Sequence, residues 1–420
     1  NGGQGSDGQV LTSTGSGVAW EAAGGGASSI NDLSDAKTFS TGSLMLGDAS
    51  TGTISGANYD TGLGVNVFAA LTTGDNLTAI GYAALTSHTT GNECTAIGYE
   101  SMLYNTSGQY NTAVGSNSLV NNTTANYNTA VGRSALYTNT TGSENAAVGS
   151  FALHKNTSGA SNTAVGYNAL EANTTGTENT AMGRDSMLVN TTGSYNLAYG
   201  NASLDANISG NFNTAIGRHC LSSNTTASSN TCLGIGAGEL TSTGGLNTMC
   251  GESAGGSNST GTENTYIGNN AGKYGIPMTT GSSNTIVGSL SSASANDGTL
   301  QIVLGRNITG GGNETFRVGN NAGSDKYITI ALNGSATTFS AASDERLKEN
   351  ITDSSVGLNF INDLRPITYT WKAKKDVPTD MSQYEENSTE QCRGHGQTNY
   401  GFVAQEVKAV IDNHNLVDGQ

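Results

Sequence analysis

Asn111-Thr-Ala-Val-Gly115 is the stretch whose reading decides the fold. The same five residues return at Asn128–Gly132 and Asn162–Gly166, with close variants at Asn145–Gly149, Asn179–Gly183, Asn196–Gly200 and Asn213–Gly217. The closing glycine recurs every 17 residues from Gly47 to Gly268, fourteen in all, then after a step of 20 at Gly288 and a step of 17 at Gly305. A period this short, held this long, belongs to a solenoid or stacked array rather than to ordinary globular packing.

Counting from that glycine as zero, each column has its own chemistry. Position −1 is apolar (Ile80, Ile97, Val114, Val131, Val165), position −2 is mostly Ala, and position +3 is Ala or Ser. Position +4 is Leu or Met from Leu85 to Leu221, and position −4 is Asn from Asn111 to Asn264. Positions +7 to +10 read Asn-Thr-Thr-Gly, as at Asn139–Gly142 and Asn173–Gly176. Each copy therefore predicts a short strand, a tight bend at Gly, a second short apolar element and a polar turn. A single copy has no partner for its apolar side. Stacking sets position −1 over −1 and +4 over +4, giving continuous core columns, and sets the Asn of position −4 in a hydrogen-bonded amide ladder. Sixteen rungs at about 4.8 Å make a rod of roughly 75 Å. The fold class read from this is an all-β repeat, a parallel β-roll or β-solenoid of 17-residue coils. Ala at −2 and +3 leaves little volume inside one coil. That predicts identical chains closing on the small columns, a parallel homotrimer, intertwined or side by side.

The composition agrees with a repeat and excludes several functions. Of 420 residues 59 are Gly and 3 are Pro, and 35% are hydrophobic; strict phasing of the glycines separates this from disorder. A net charge of −16 without a Lys/Arg cluster argues against nucleic acid and anionic membrane surfaces as partners. No apolar run is long enough to insert in a membrane, and no signal peptide is visible. The chain starts at Asn1 without Met, which reads as a fragment or a processed product. The cysteines, Cys94, Cys220, Cys232, Cys250 and Cys392, are odd in number and lack CxxC spacing. They read as small buried hydrophobes of a chain folded in a reducing compartment, not as disulfides or metal ligands. His88, His154 and His219 fall at different repeat offsets and do not stack, so no metal site is expected, nor any cofactor. Asp and Glu are scattered, without the repeated pair that a glycosidase needs. The Asn-x-Ser/Thr triplets, such as those at Asn105, Asn139 and Asn173, read as turn chemistry rather than as glycosylation acceptors.

The array is one of four parts. Residues 1–29 are a lead-in, in which Asp7–Trp20 carries two strands, around Gln9–Thr12 and Val18–Trp20, before a Gly-rich linker. Residues 30–306 are the array. Residues 307–342 are a β-rich neck, with alternation in Glu314–Val318 and Tyr327–Leu332. After Ser340 the composition shifts abruptly, and residues 343–420 form a small α+β domain. There, Leu358–Leu364 reads as a helix stopped by Arg365-Pro366, Ile367–Trp371 as a strand, and Tyr400–Val407 as the approach to a second helix. Near the end of the array position +4 becomes Gly at Gly238, Gly255 and Gly272, and the step of 20 inserts residues around Lys273–Met278. That insertion adjusts the twist or protrudes, and Tyr274, Ile276 and Met278 are its candidate receptor contacts. Tyr82, Tyr99 and Tyr167 share position +1 and mark an exposed face suited to a sugar or a protein.

Two resemblances follow from these residues. Asn-Thr-Ala-Val/Ile-Gly in phase resembles the head repeats of trimeric autotransporter adhesins, left-handed parallel β-rolls whose repeat is usually 14 residues; the lead-in hairpin looks like a module of phage tail-fibre proteins. Ser343-Asp-Glu-Arg-Leu-Lys-Glu-Asn-Ile351, Gly357-Leu358, Leu364-Arg-Pro366, Tyr369-Thr-Trp371 and Tyr400–Val407 resemble the intramolecular chaperone domain of endosialidase-type phage tailspikes and fibres, a self-cleaving serine peptidase family. The resemblance implies that this domain drives trimer assembly and then cuts the chain at Ala342–Ser343, with Ser343 as nucleophile and Lys348 as its activator. A Ser hydroxyl needs such a base, and a Lys serves only if burial lowers its pKa toward neutrality. Ser-x4-Lys alone carries little weight; the ordered motifs around it carry the assignment. The chain ends at Gln420, short of the family's longer C-terminal helices, so the domain reads as truncated. The expectation is a homotrimeric phage tail fibre in the virion, with a host cell-surface glycan or protein as receptor and other fibre or tail proteins at its N-terminal end. A bacterial trimeric surface adhesin is the alternative. A polysaccharide-degrading tailspike is disfavoured by the missing acidic cluster.

Overall fold

The computed structural model describes residues 9–13, 18–22, 36–39, 41–47, 56–320, 326–332, 363–370, 372–378, 384, 386–389 and 399–413. The chain divides into two compact units, Asn1–Ala341 and Ala342–Gln420.

The first unit is an all-β parallel solenoid. Three-residue strands from Thr61–Leu63 to Thr285–Val287 each pair in parallel with the strand of the next coil, in chain order. The register advances by 17 residues, as in Thr112↔Thr129 and Val114↔Val131. It advances by 20 at Thr265↔Thr285 and by 14 at Ile302↔Phe316. Thr315–Asn320 is therefore the last parallel rung, continuous with Ile302–Arg306, where the sequence suggested a separate neck. At each end an antiparallel strand covers the open edge: Ala36–Phe39 against Ser43–Leu46, and Lys326–Ala331 against Thr315–Asn320. Covering edges in this way blocks uncontrolled strand addition. In the lead-in, Gln9–Ser13 and Val18–Ala22 form an antiparallel hairpin.

The core differs from the sequence reading in one respect. A strand alternates its side chains, so Thr-Ala-Val can send only one residue inward. That residue is the Ala of position −2: Ala113, Ala130, Ala147 and Ala164 are fully buried. Position −1, expected in the core, faces outward instead; Val148, Leu233 and Ile267 are 40, 48 and 40% exposed. The small columns at −2 and +3 lie inside each single coil, with Ala135 and Ala152 also fully buried, so they are not surfaces for contact between chains. The lumen is filled by the large residues of position +4, such as Leu119, Leu136, Leu153 and Leu170.

Two buried amide ladders line this lumen. In the expected one at position −4, Asn145 Nδ2 donates to Asn128 Oδ1 at 3.1 Å and to Gly159 O at 2.9 Å. The second uses the Asn of position +7, which the sequence placed in a polar turn; Asn122 Nδ2 donates to Asn105 Oδ1 at 2.8 Å and Asn156 Nδ2 to Asn139 Oδ1 at 2.8 Å. Each amide satisfies a neighbour whose burial would otherwise be costly.

Stacking also imposes backbone shapes that residue preference opposes. Leu136, Asn117 and Tyr110 have φ of 51, 58 and 58°, and the same left-handed values recur in nearly every coil. The repeat glycine has a different reason. At Gly115, φ is 138° and an added Cβ would stand 2.6 Å from the carbonyl oxygen of Gly132. Only Gly permits that approach.

Near the C-terminal end the core changes composition. Where position +4 is Gly255 or Gly272, position −2 carries Met249 or Tyr266 in place of Ala. A Cβ on Gly255 would lie 2.6 Å from Tyr266 Cδ2, and one on Gly272 would lie 2.7 Å from Tyr266 Cδ1. Large and small have exchanged columns.

Candidate functional site

The proposed cleavage residues Ala342, Ser343 and Lys348, and the predicted helix Leu358–Leu364 except its last two residues, lie outside the described residues. What is described of the second unit ties two of the recognised motifs together. Ile367–Tyr369 pairs antiparallel with Asn399–Gly401, and the helix Ala404–Asn413 follows directly. Arg365, from the Leu-Arg-Pro motif, forms a bidentate ion pair with Glu406, from the Tyr400–Val407 motif; Nε to Oε2 is 3.0 Å. The hydrogen bonds and charge of Arg365 hold the Glu406 carboxyl below its ordinary range. Two segments remote in sequence are thus joined by an exposed pair.

The insertion at the step of 20 is more divided than expected. Tyr274 is 52% exposed and Ile276 is half-buried, whereas Met278 is fully buried. Met278 takes the lumen position held by Asn258 one coil earlier, so it cannot serve as a receptor contact. The second amide ladder has already stopped at Asn224, because Thr241 holds the next position and leaves Asn224 Oδ1 without a partner; Asn258 Oδ1, next to Met278, lacks one too. Ile267 still pairs with Val287, so the extra residues bulge out without disturbing the strand register.

Exposed aromatic side chains gather in two columns. At position +1, Tyr82 stacks on Tyr99 with centroids 5.3 Å apart, and Tyr167 meets Phe151 edge-on at 6.3 Å. The second column, at position −5, was missed in the sequence. There Tyr110 stacks on Tyr127 at 4.9 Å and Tyr195 on Phe212 at 5.0 Å. Its signal was present as aromatics in phase with the 17-residue repeat, at Tyr59, Tyr110, Tyr127, Tyr195 and Phe212, diluted by Glu and Ser in intervening coils. A shallow surface groove runs between positions +6 and +8, lined by Tyr104, Asn121, Thr123 and Thr138.

The buried titratable groups serve the stack. His88 begins the second amide ladder: Nδ1 accepts from Asn105 Nδ2 at 2.9 Å and Nε2 donates to Gly91 O at 2.7 Å. Burial lowers its pKa. Asp60 stands at position −4, and burial pushes its pKa up to about 6 against the opposing hydrogen bond from the Leu77 amide. Cys94, Cys220 and Cys232 are buried, as expected, but Cys250 is half-buried on the outer strand face, and Cys392 lies outside the described residues. Among the described residues no cluster of His, Cys, Asp or Glu could hold a metal ion, and no helix is long and apolar enough to cross a membrane.

No curated protein matches this chain, and no solved structure does. The C-terminal segment, which contains Ser343, Lys348 and the Arg365–Glu406 pair, is matched over residues 343–416 by the model of the family described as chaperone of endosialidase.

Proposed function

We propose that this chain is the rod and assembly segment of a homotrimeric fibre, most nearly a phage tail fibre used for host attachment. The observation that carries this reading is the order of its parts: a long parallel solenoid followed directly by a segment matching the chaperone of endosialidase family. The rod presents repeated exposed columns, with Tyr274 at the inserted step as the contact residue for a host cell-surface glycan or protein. The N-terminal end joins other fibre or tail proteins, and the location is the virion.

The C-terminal segment cuts the chain once. Lys348 takes the proton of the Ser343 hydroxyl, and the oxygen attacks the Ala342 carbonyl carbon. The amide nitrogen of Ser343 leaves with a proton, and water hydrolyses the resulting ester. The chain then ends in a carboxylate at Ala342, and the released domain begins with an amine at Ser343.

Intact mass of the expressed chain, with and without Ser343→Ala, tests this. The expected result is release of the 343–420 segment from the native chain and full-length product from the variant. Full-length product from both would remove self-cleavage.

A further inference from the structure

We propose that the outer face of the short strands is the surface on which a second copy of this chain docks, running parallel to the first. The inference rests on the reading above that the chain assembles with copies of itself, and it names the face and the direction. The face consists of two columns, position −3 (mostly Thr) and position −1 (Leu, Ile, Val, Met, Tyr or Cys), and it continues from Leu44 and Leu46 to Phe316 and Val318. No charged residue interrupts either column, although the chain carries a net charge of −16. Tyr199 is 54% and Leu233 is 48% exposed there, so an apolar stripe spans the whole rod. At about 75 Å by about 10 Å it offers roughly 750 Å² per chain, close to the ~800 Å² per partner of a stable interface.

The flanks of this face supply the direction. The column before the strand, position −5, carries Glu93, Glu144, Glu178, Glu263 and Glu314, all exposed. The column after it, position +1, carries the exposed Arg133, Arg184, Arg218 and Arg306, with Glu252 and, in the sequence of the first coil, Asp48 as acidic exceptions. Arg133 rests on the Phe151 ring and Arg184 touches Asp185, and both remain open to solvent. When such faces turn to a common axis with the chains parallel, as in the proposed homotrimer, the acidic edge of each chain lies against the basic edge of its neighbour. An antiparallel meeting sets Glu against Glu and Arg against Arg. Glu178 and Arg184 flank the same rung, and Glu144 and Glu314 stand one rung from Arg133 and Arg306, so the signs alternate at matching heights. Charge complementarity of this kind selects register and partner.

The test uses the full chain. Sedimentation equilibrium compares it with a variant carrying Val114→Asp, Val131→Asp and Val148→Asp, whose outward positions leave the lumen intact, as far-UV circular dichroism checks. The native chain is expected to be a multimer, and the variant to self-associate about tenfold or more weakly. Reversal by Arg133→Glu and Arg184→Glu is expected to weaken association, and adding Glu144→Arg and Glu178→Arg to restore it. For direction, a short bismaleimide is applied to a chain with Cys392→Ser and Val114→Cys, because position 114 is the antiparallel counterpart of Cys250. Links between position 250 of both copies are expected; links between 250 and 114, or none, overturn the parallel arrangement. A native multimer indifferent to the Asp substitutions removes this inference alone, whereas a native monomer removes the fibre reading with it.

Discussion

At the residue scale, each coil is held by a few positions that tolerate one side chain. Gly115→Ala places a methyl 2.6 Å from the Gly132 carbonyl oxygen at a φ of 138°. It should destabilise the solenoid by roughly 2–4 kcal/mol, read as a lower midpoint in denaturant. Asn139 donates to Asn122 Oδ1 at 3.1 Å and to Gly142 O at 2.9 Å, and accepts from Asn156 Nδ2 at 2.8 Å. Asn139→Ala leaves ladder partners buried and unmatched, with an expected cost of about 2–4 kcal/mol. Asp60 gives a pH signature. Burial raises its folded pKa to about 6, above the 3.8 of an ordinary Asp carboxyl, so the folded chain binds the proton more tightly than the unfolded one. Its contribution is therefore complete below about pH 4 and is lost as pH rises to about 6. Asp60→Asn should flatten that part of the stability profile and raise stability above pH 6, measured by thermal melts across pH.

At the scale of the element, what matters is the volume of one coil. Tyr266 fills the lumen space that Leu fills elsewhere, and Gly255 and Gly272 make room for its ring. Tyr266→Ala should cost about 3–5 kcal/mol. Adding Gly272→Leu, whose Cβ meets only the Tyr266 ring, should recover part of that loss, and on the native background the same change should destabilise. A double-mutant cycle showing simple additivity would contradict the exchange of columns. This compensation was not legible in the sequence. The glycines at position +4 were visible as a change of character, but only the coil shows that position −2 points at them. The left-handed residues at positions +2, +4 and −5 were hidden for the same reason. Nothing in the preferences of Leu or Tyr predicts a φ near 55°; the stacking of hydrogen bonds between coils imposes it, as when Leu136 N donates to Ala152 O at 3.0 Å.

At the scale of the whole molecule, the solenoid behaves as a one-dimensional stack. Deleting one full period, residues 133–149, should keep the β signature in circular dichroism and lower the melting temperature modestly, because each coil contacts only its neighbours. Deleting half a period should abolish cooperative melting, since it puts inward residues outside. In the C-terminal unit, the strand at Ile367–Tyr369 and the helix after Tyr400 were readable from alternation and from the ordered motifs. The Arg365–Glu406 pair was not, because 41 residues separate its members.

The sequence by itself determined the period, the direction of stacking, the buried Asn column of position −4 and the change of character after residue 342, where the match to the chaperone of endosialidase family begins. A strict repeat of Gly and Asn leaves few other ways to satisfy buried amides and close backbone approach. The tertiary structure alone decided which apolar column is inside. Hydrophobicity marks Val114 and Leu119 alike, but the alternation of a three-residue strand turns Ala113 inward and Val114 outward. That reversal moves the apolar stripe from the core to the surface of the rod, where only another surface can cover it.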